Sequence, residues 1–349
     1  MRRIYLFKVV MLIMAVSALA VFNSSCEKEN LEDLKQTSCI KKPRVVSDDE
    51  IMKDLPEVKD GRLVFKDSVS FANYYLWLID NQDNQDKVNK INASLGFVCM
   101  HEIYDKGLDA LCESESITCP YIEEHPTVFH IEEIDSTIFH NMQAPDIVGY
   151  IANELGLYQV GNNIYRSTHD YTYCITNGDE NKIQLLLNLN GEKTGDSIIL
   201  SYPTFYKSNG TKGQYGYRTA YFDPNTKTLR AVARLSSGIV SQTGVNFYEF
   251  ETSTQRKLGA WIGVKFNGVW VKWGNGSYFF IGNGGQQHTE TITAGITGSS
   301  NKQKTSRTFA SYTNSTIIPS QSYVNTVHKA YHEDWDTVRI YYDNAFTAE

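Results

Sequence analysis

The hydrophobic pattern of the chain changes period once, near Lys182. Before that point apolar residues recur at helical spacing. Phe71, Tyr74, Tyr75 and Leu78 fall at i, i+3, i+4 and i+7, which predicts a helix that Asp67 or Ser68 can cap. Val88, Ile91 and Leu95 predict a second helix stopped by Gly96. Ile103, Tyr104, Leu108 and Leu111 predict a third over about residues 98–112, and Ile147, Val148, Ile151 and Leu155 a fourth closed by Gly156. A short strand over residues 61–65 precedes them. After Lys182 the period becomes 2, with candidate strands at residues 183–189, 197–202, 228–235, 245–251, 258–266, 269–273, 277–281, 288–296, 305–312 and 337–342. Short strands punctuated this densely by Gly and Asn predict an antiparallel sandwich or barrel. The absence of strand–helix–strand alternation argues against a doubly wound sheet. The expected fold class is therefore α+β: a small helical N-terminal domain followed by an antiparallel β-sandwich.

The sharpest local signal is a pair of Asn-Gly dipeptides, Asn267-Gly268 and Asn275-Gly276. Asn-Gly supplies positive φ at both central positions of a type I′ hairpin turn. Two such turns would set Lys265 opposite Trp270, Val264 opposite Val271, Ile262 opposite Trp273, and Trp273 opposite Tyr278. One face, with Ala260, Ile262, Val264, Phe266, Val269, Val271, Trp273, Tyr278 and Phe280, would be core. The other would carry Trp261, Gly263, Lys265, Trp270, Lys272 and Phe279. Flat aromatics interleaved with lysines can stack on sugar rings and donate to hydroxyls or acidic groups, so Trp261, Lys265, Trp270 and Lys272 are the candidate ligand-binding residues. Packing beneath a loop, with Lys265 over Trp270, is the competing account.

The N-terminus carries an address. Behind Arg2, Arg3 and Lys8 lies an uncharged, mostly apolar run of 14 residues, Val9 to Phe22. That is too short to span roughly 30 Å of hydrocarbon and reads as a cleaved signal peptide. Asn23-Ser24-Ser25-Cys26 resembles a relaxed bacterial lipobox, which implies a mature chain beginning at an acylated Cys26 whose partner is membrane lipid. Glu27, Lys28, Glu29, Glu32 and Asp33 follow and resemble the acidic export tag of lipoproteins displayed on the outer face of the outer membrane. The expected organisation is a signal peptide over 1–25, a lipidated tether over 26–55, an α-rich domain over 56–178 and a β-sandwich domain over 179–349.

Composition then narrows the chemistry. The signal holds three of the 33 basic residues and no acidic ones, so the mature chain sets 30 basic against 40 acidic residues. Nucleic acid is a poor partner for such a chain, because its binding rests on phosphate neutralisation. Beyond Cys26 the cysteines are Cys39, Cys99, Cys112, Cys119 and Cys174, an odd number with no Cys-x-x-Cys zinc spacing. Cys112 and Cys119 are close enough to close a short loop, though a core of this size does not need a staple. No cofactor motif and no phosphate loop are present. Gly195-Asp196-Ser197-Ile198 resembles the nucleophile block of a serine esterase family but lacks the later Asp-x-x-His. His328 and His332, four apart, would aim at one metal if helical, yet lack the intervening Glu of a metalloprotease; metal is not expected. The carboxylates Glu123, Glu124, Glu132, Glu133 and Asp135 among His125, His130 and His140 offer no separation to test. No residue emerges as catalytic.

Two further patterns bear on identity. Asp60-Gly61-Arg62-Leu63-Val64-Phe65-Lys66-Asp67, then Leu95-Gly96-Phe97, resembles the start of the mature body in uncharacterised Bacteroidetes surface lipoproteins. So do Ile151-Ala152-Asn153-Glu154-Leu155-Gly156, Tyr158-Gln159-Val160-Gly161 and Ile164-Tyr165-Arg166. The resemblance covers roughly residues 56–168 and implies a location and an architecture, with no chemistry. Asp-Ser or Asp-Thr followed by a methyl-bearing residue resembles the O-glycosylation sequon of Bacteroidetes export and marks Ser68, Ser136, Ser197 and Thr337. The expectation is a surface-exposed outer-membrane lipoprotein, non-enzymatic, binding a glycan or a host macromolecule. The alternatives are a carbohydrate-active hydrolase with unidentified carboxylates, and an adhesin or assembly subunit that would present residues 338–342 as a donor strand.

Overall fold

A computed structural model of the protein describes residues 45–347 apart from 83, 115–118, 132–137, 142–145, 170, 190–198, 204–214, 241–244, 275–277, 284–285, 292–294, 301 and 313–318. Cys26, Ser136 and Ser197 lie outside the described residues. Those described belong to one compact unit, Lys41–Glu349.

The chain joins this unit earlier than its charge pattern predicts. Residues within the expected tether form helix α1 (Asp48–Lys53), with Ser47 and Glu50 making a reciprocal capping box. Val46 and Ile51 are buried in the main core. Asp48 accepts the indole N–H of Trp77 at 2.8 Å and pairs with Lys87 at 2.5 Å. Two apolar anchors among charged residues suffice to dock the segment, and they are too sparse to register as a period.

Next comes a hairpin of β1 (Glu57–Lys59) and β2 (Arg62–Phe65), turning at Asp60 and Gly61 with φ of 48° and 71°. Both central residues have positive φ, as a type I′ turn demands. Helix α2 (Ser68–Asp80) starts at Asp67, whose carboxylate accepts the N–H groups of Val69 and Ser70. Helices α3 (Gln85–Ser94), α4 (Met100–Ser114) and α5 (Pro120–Glu124) follow, then a two-stranded ribbon of β3 (Phe129–Ile131) and β4 (Ile138–His140). The strands β5 (Leu157–Val160), β6 (Asn163–Ser167), β7 (Tyr171–Ile175) and β8 (Ile199–Pro203) complete a six-stranded sheet, with helix α6 (Ile183–Asn188) before the last. Its order is β1-β2-β5-β6-β7-β8, antiparallel except at β2–β5. Alternation sorts its side chains. Tyr158, Val160, Tyr165 and Cys174 join the core with α2 and α4, whereas Leu157, Ile164, Tyr173 and Ile175 pack with Leu186 of α6.

Two expectations change here. Residues 183–189 are largely helix, not strand. A short, mostly apolar stretch is ambiguous by period alone, and a buried Arg166 decides it by donating to the carbonyls of Leu186, Leu187 and Leu189 at the helix end. The N-terminal part is also more than helical: its sheet runs on to Pro203, past the expected boundary between residues 178 and 179.

The remaining strands are β9 (Tyr215–Tyr221), β10 (Leu229–Val240), β11 (Val245–Leu258), β12 (Ala260–Gly263), β13 (Gly268–Trp273), β14 (Tyr278–Asn283), β15 (Gln286–Thr291), β16 (Gly295–Ser299), β17 (Lys304–Tyr312), β18 (Pro319–His332) and β19 (Trp335–Thr347). One antiparallel sheet runs β9-β10-β11, with β12 and β17 sharing the far edge of β11. The other is organised on β18, which pairs with β13 and β14 on one side and β19 on the other. Ala231, Ala233, Leu235 and Phe250 from the first meet Val269, Val271, Trp273, Ala330 and Ile340 from the second in one core. Ala260 and Ile262 of β12 belong to the helical core, so the two halves of the unit share a buried layer.

The double hairpin does not form. Strand β12 turns back on β11 through Gly259 (φ 86°), while β13 lies between β16 and β18, in a different sheet. Trp273 faces Gly295 and Thr326, not Ile262 and Tyr278. An Asn-Gly pair signals a local reversal and cannot specify which strand is hydrogen-bonded after it. Here the long β18 takes both β13 and β14, a pairing no local signal announces. Val269, Val271 and Trp273 are nonetheless buried and Lys272 exposed, because alternation belongs to the single strand whatever it pairs with.

Candidate functional site

The four expected ligand-binding residues are not brought together as a platform. Trp261 is only 5% exposed, with the Arg230 guanidinium 4.0 Å from its ring centre. Lys265 forms an ion pair with Asp109 of α4 at 2.7 Å. Trp270 belongs to the other sheet and lies over glycines: a Cβ on Gly298 or Gly268 would meet its ring at 2.0 Å. Lys272 alone stands exposed. Trp270 covers strand glycines, which need an aromatic cover, and Trp261 packs beneath Arg230 and against Tyr221.

His328 and His332 lie on β18, so the helical geometry that would aim them at one metal is absent. His328 is 1% exposed and sits between two hydroxyls, with Thr252 Oγ1 at 2.8 Å from Nδ1 and Thr326 Oγ1 at 3.0 Å from Nε2. Thr252 spends its own hydrogen on the Trp270 carbonyl at 2.8 Å. It must therefore accept from Nδ1–H, which leaves Nε2 to accept from Thr326. Burial pushes this imidazole down to about 3, and the ring is neutral. Among the described residues no group of three His, Cys, Asp or Glu is placed to hold a metal ion. Cys119 is a buried free thiol, so it forms no bridge with Cys112.

A polar cleft of about 280 Å³ opens where the helices meet β16 and β17. Its helical wall comes from the turn between α2 and α3, with Gln82, Asn84, Gln85 and Asp86, and from His101 of α4 and Tyr150. The strand wall comes from Thr297, Gly298 and Ser299 of β16, Lys302, and Lys304, Thr305, Ser306 and Thr308 of β17. Local structure fixes each wall. Asn84 caps α3 through its side-chain oxygen, which holds Gln85 and Asp86 in the first turn. Gln82 clamps the two walls together: its Oε1 accepts the N–H of Thr308 at 2.8 Å, and its Nε2 donates to the carbonyl of Thr308 at 3.1 Å. The amide thus pairs with β17 as a neighbouring strand would. The His101 ring sits 4.3 Å from that of Tyr150, with Nε2 3.8 Å from Asp105. Lys302 Nζ reaches Gln85 Oε1 at 3.5 Å across the mouth.

Chemically the cleft offers amides, hydroxyls, two lysines and one carboxylate, Asp86, among its described lining residues. Its volume lies near the lower end of small-ligand sites. Sequence reasoning missed these residues because they are scattered, with Gln82, Asn84, Gln85 and Asp86 in a polar turn and most of the strand wall in the polar stretch 297–308, none of which reads as a site alone. Only their meeting in space makes a concavity.

The modification sites divide. Ser68 is exposed at the start of α2, beside Val69 at 64% exposure. Thr337 is half-buried on β19. The expected donor segment, residues 338–342, lies within β19 and is hydrogen-bonded along β18. No protein-family model matches this chain, and no characterised protein matches it in sequence.

Proposed function

We propose that this chain is a non-enzymatic, lipid-anchored binding protein of the outer-membrane surface that takes a polar, hydroxylated ligand, a glycan, in the cleft between the helices and β17. The cleft carries the reading: it is concave and lined by groups that exchange hydrogen bonds with hydroxyls. The signal segment, Cys26 and the acidic run behind it support the surface address, and the likeness to uncharacterised Bacteroidetes lipoproteins points the same way. Within this reading the two C-terminal sheets form a β-sandwich, with the N-terminal helices and their sheet leaning against one end. Ser68 is the sequon best presented for O-glycosylation, since its hydroxyl stands at an exposed helix start. The test is a glycan array with the mature chain, repeated with Asp86→Ala and Lys304→Ala. Neutral oligosaccharides retained by the wild type and lost by both variants, at unchanged melting temperature, support the cleft. Equal retention by all three proteins excludes it.

A further inference from the structure

One face of β9–β12 gathers cations and aromatic rings at a single corner. Tyr221, Arg230 and Gln255 are cross-strand partners, and Lys257 faces Trp261 one row away on the same side. The buried Arg230 lies over the Trp261 ring and its Nε donates to Gln255 Oε1 at 2.8 Å. Above this floor stand two exposed ammonium groups, Lys257 at 5.9 Å from the Trp261 ring centre and Lys227 at 5.8 Å from that of Tyr221.

The turn that delivers Lys227 is fixed by its own hydrogen bonds. Lys227 adopts φ of 50°, a conformation that residues with a Cβ seldom take, and Asp60 is the other non-glycine case among the described residues. Its N–H donates to the carbonyl of Asp223 at 2.9 Å. The Asp223 carboxylate is spent within the turn, accepting from the Asn225 N–H and the Thr226 hydroxyl. The N–H of Lys257 donates to Thr228 O at 2.8 Å, which fixes the two lysines beside each other. The next acidic group along this face, Glu251, faces Arg234 at 3.6 Å. Among the described residues neither Lys227 nor Lys257 has a carboxylate within ion-pair distance. In a chain with 40 acidic residues against 33 basic ones, two neighbouring lysines without an ion-pair partner among the described residues are out of character.

We infer that Lys227 and Lys257, over the Tyr221–Arg230–Trp261 floor, form a subsite for the carboxylates of an acidic polysaccharide. The rim offers two point charges to anions, and the half-buried Tyr221 offers an apolar edge to the C–H face of a sugar. This subsite is separate from the cleft and does not depend on it.

The probe is polygalacturonate, a uronate polymer, titrated into the mature protein at low and at physiological salt. The wild type is expected to bind and to weaken as salt rises, since exposed charges are screened. Lys227→Gln combined with Lys257→Gln should weaken binding about tenfold or more, while the Arg double variant restores it and all three melt alike. Asp86→Ala in the cleft should leave polygalacturonate binding intact, so failure of one site is distinguishable from failure of the other. No binding by the wild type at low salt, or undiminished binding by the Gln double variant, overturns the proposal. Equal binding of polyglutamate overturns the saccharide assignment, because charge alone would then suffice.

Discussion

At the scale of single residues the molecule places polar groups where only one protonation state fits. His328 is the clearest case. Desolvation holds its folded value near 3 against an ordinary 6.5, so the unfolded chain binds a proton first as pH falls. The associated stability is therefore complete above about pH 6.5 and is lost progressively toward pH 3. His328→Gln should flatten that part of the stability–pH curve, measured by urea unfolding at several pH values. An unchanged slope would mean that His328 is not the group responsible. The tryptophans make a second residue-scale case. Trp273 packs between Phe250 and Phe309, with ring centres 6.4 and 5.3 Å away, so Trp273→Ala should cost about 3–5 kcal/mol. Gly298→Ala drives a methyl group into the Trp270 ring and should cost about 1–3 kcal/mol. Thermal melts check both. A Gly298→Ala protein as stable as wild type would show that the Trp270 ring is not packed there.

At the scale of elements the sequence is legible where structure is local and silent where partners are remote. The α2 stripe Phe71, Tyr74, Tyr75 and Leu78 is buried as its spacing predicts, because a helix satisfies its own backbone. The alternation of β13 is right because side chains alternate along a single strand whatever it pairs with. What fails is pairing: nothing in residues 258–281 reveals that β18 will accept β13 and β14, since that choice is settled some 50 residues further on by a strand whose own pattern is mostly polar. The α6 error has the same origin, because the deciding group, Arg166, comes from a strand about 20 residues earlier. Its Nε also donates to the Leu155 carbonyl at 3.2 Å. Arg166→Leu should orphan these carbonyls and lower stability by at least about 2 kcal/mol. Loss of α6 protection in hydrogen exchange, ahead of the rest of the sheet, checks it. The cleft was illegible for a related reason: its walls come from separate helix and strand segments with polar sequences, and concavity is a property of their juxtaposition.

At the scale of the whole molecule, the described residues form a compact body with a polar cleft at the seam between helices and strands, and the proposed function tethers that body through Cys26. Cys26→Ala should release the protein from the membrane fraction, and membrane retention without any acyl-modified peptide would refute lipid attachment. The central claim concerns the cleft, and a steric plug tests it most directly. Ser306 lines the strand wall, so Ser306→Trp should fill the space and leave the fold intact. On a neutral glycan array the wild type should bind and the plugged variant should lose at least tenfold, about 1.4 kcal/mol. Binding undiminished by the plug, or a wild type that retains no glycan, would contradict it.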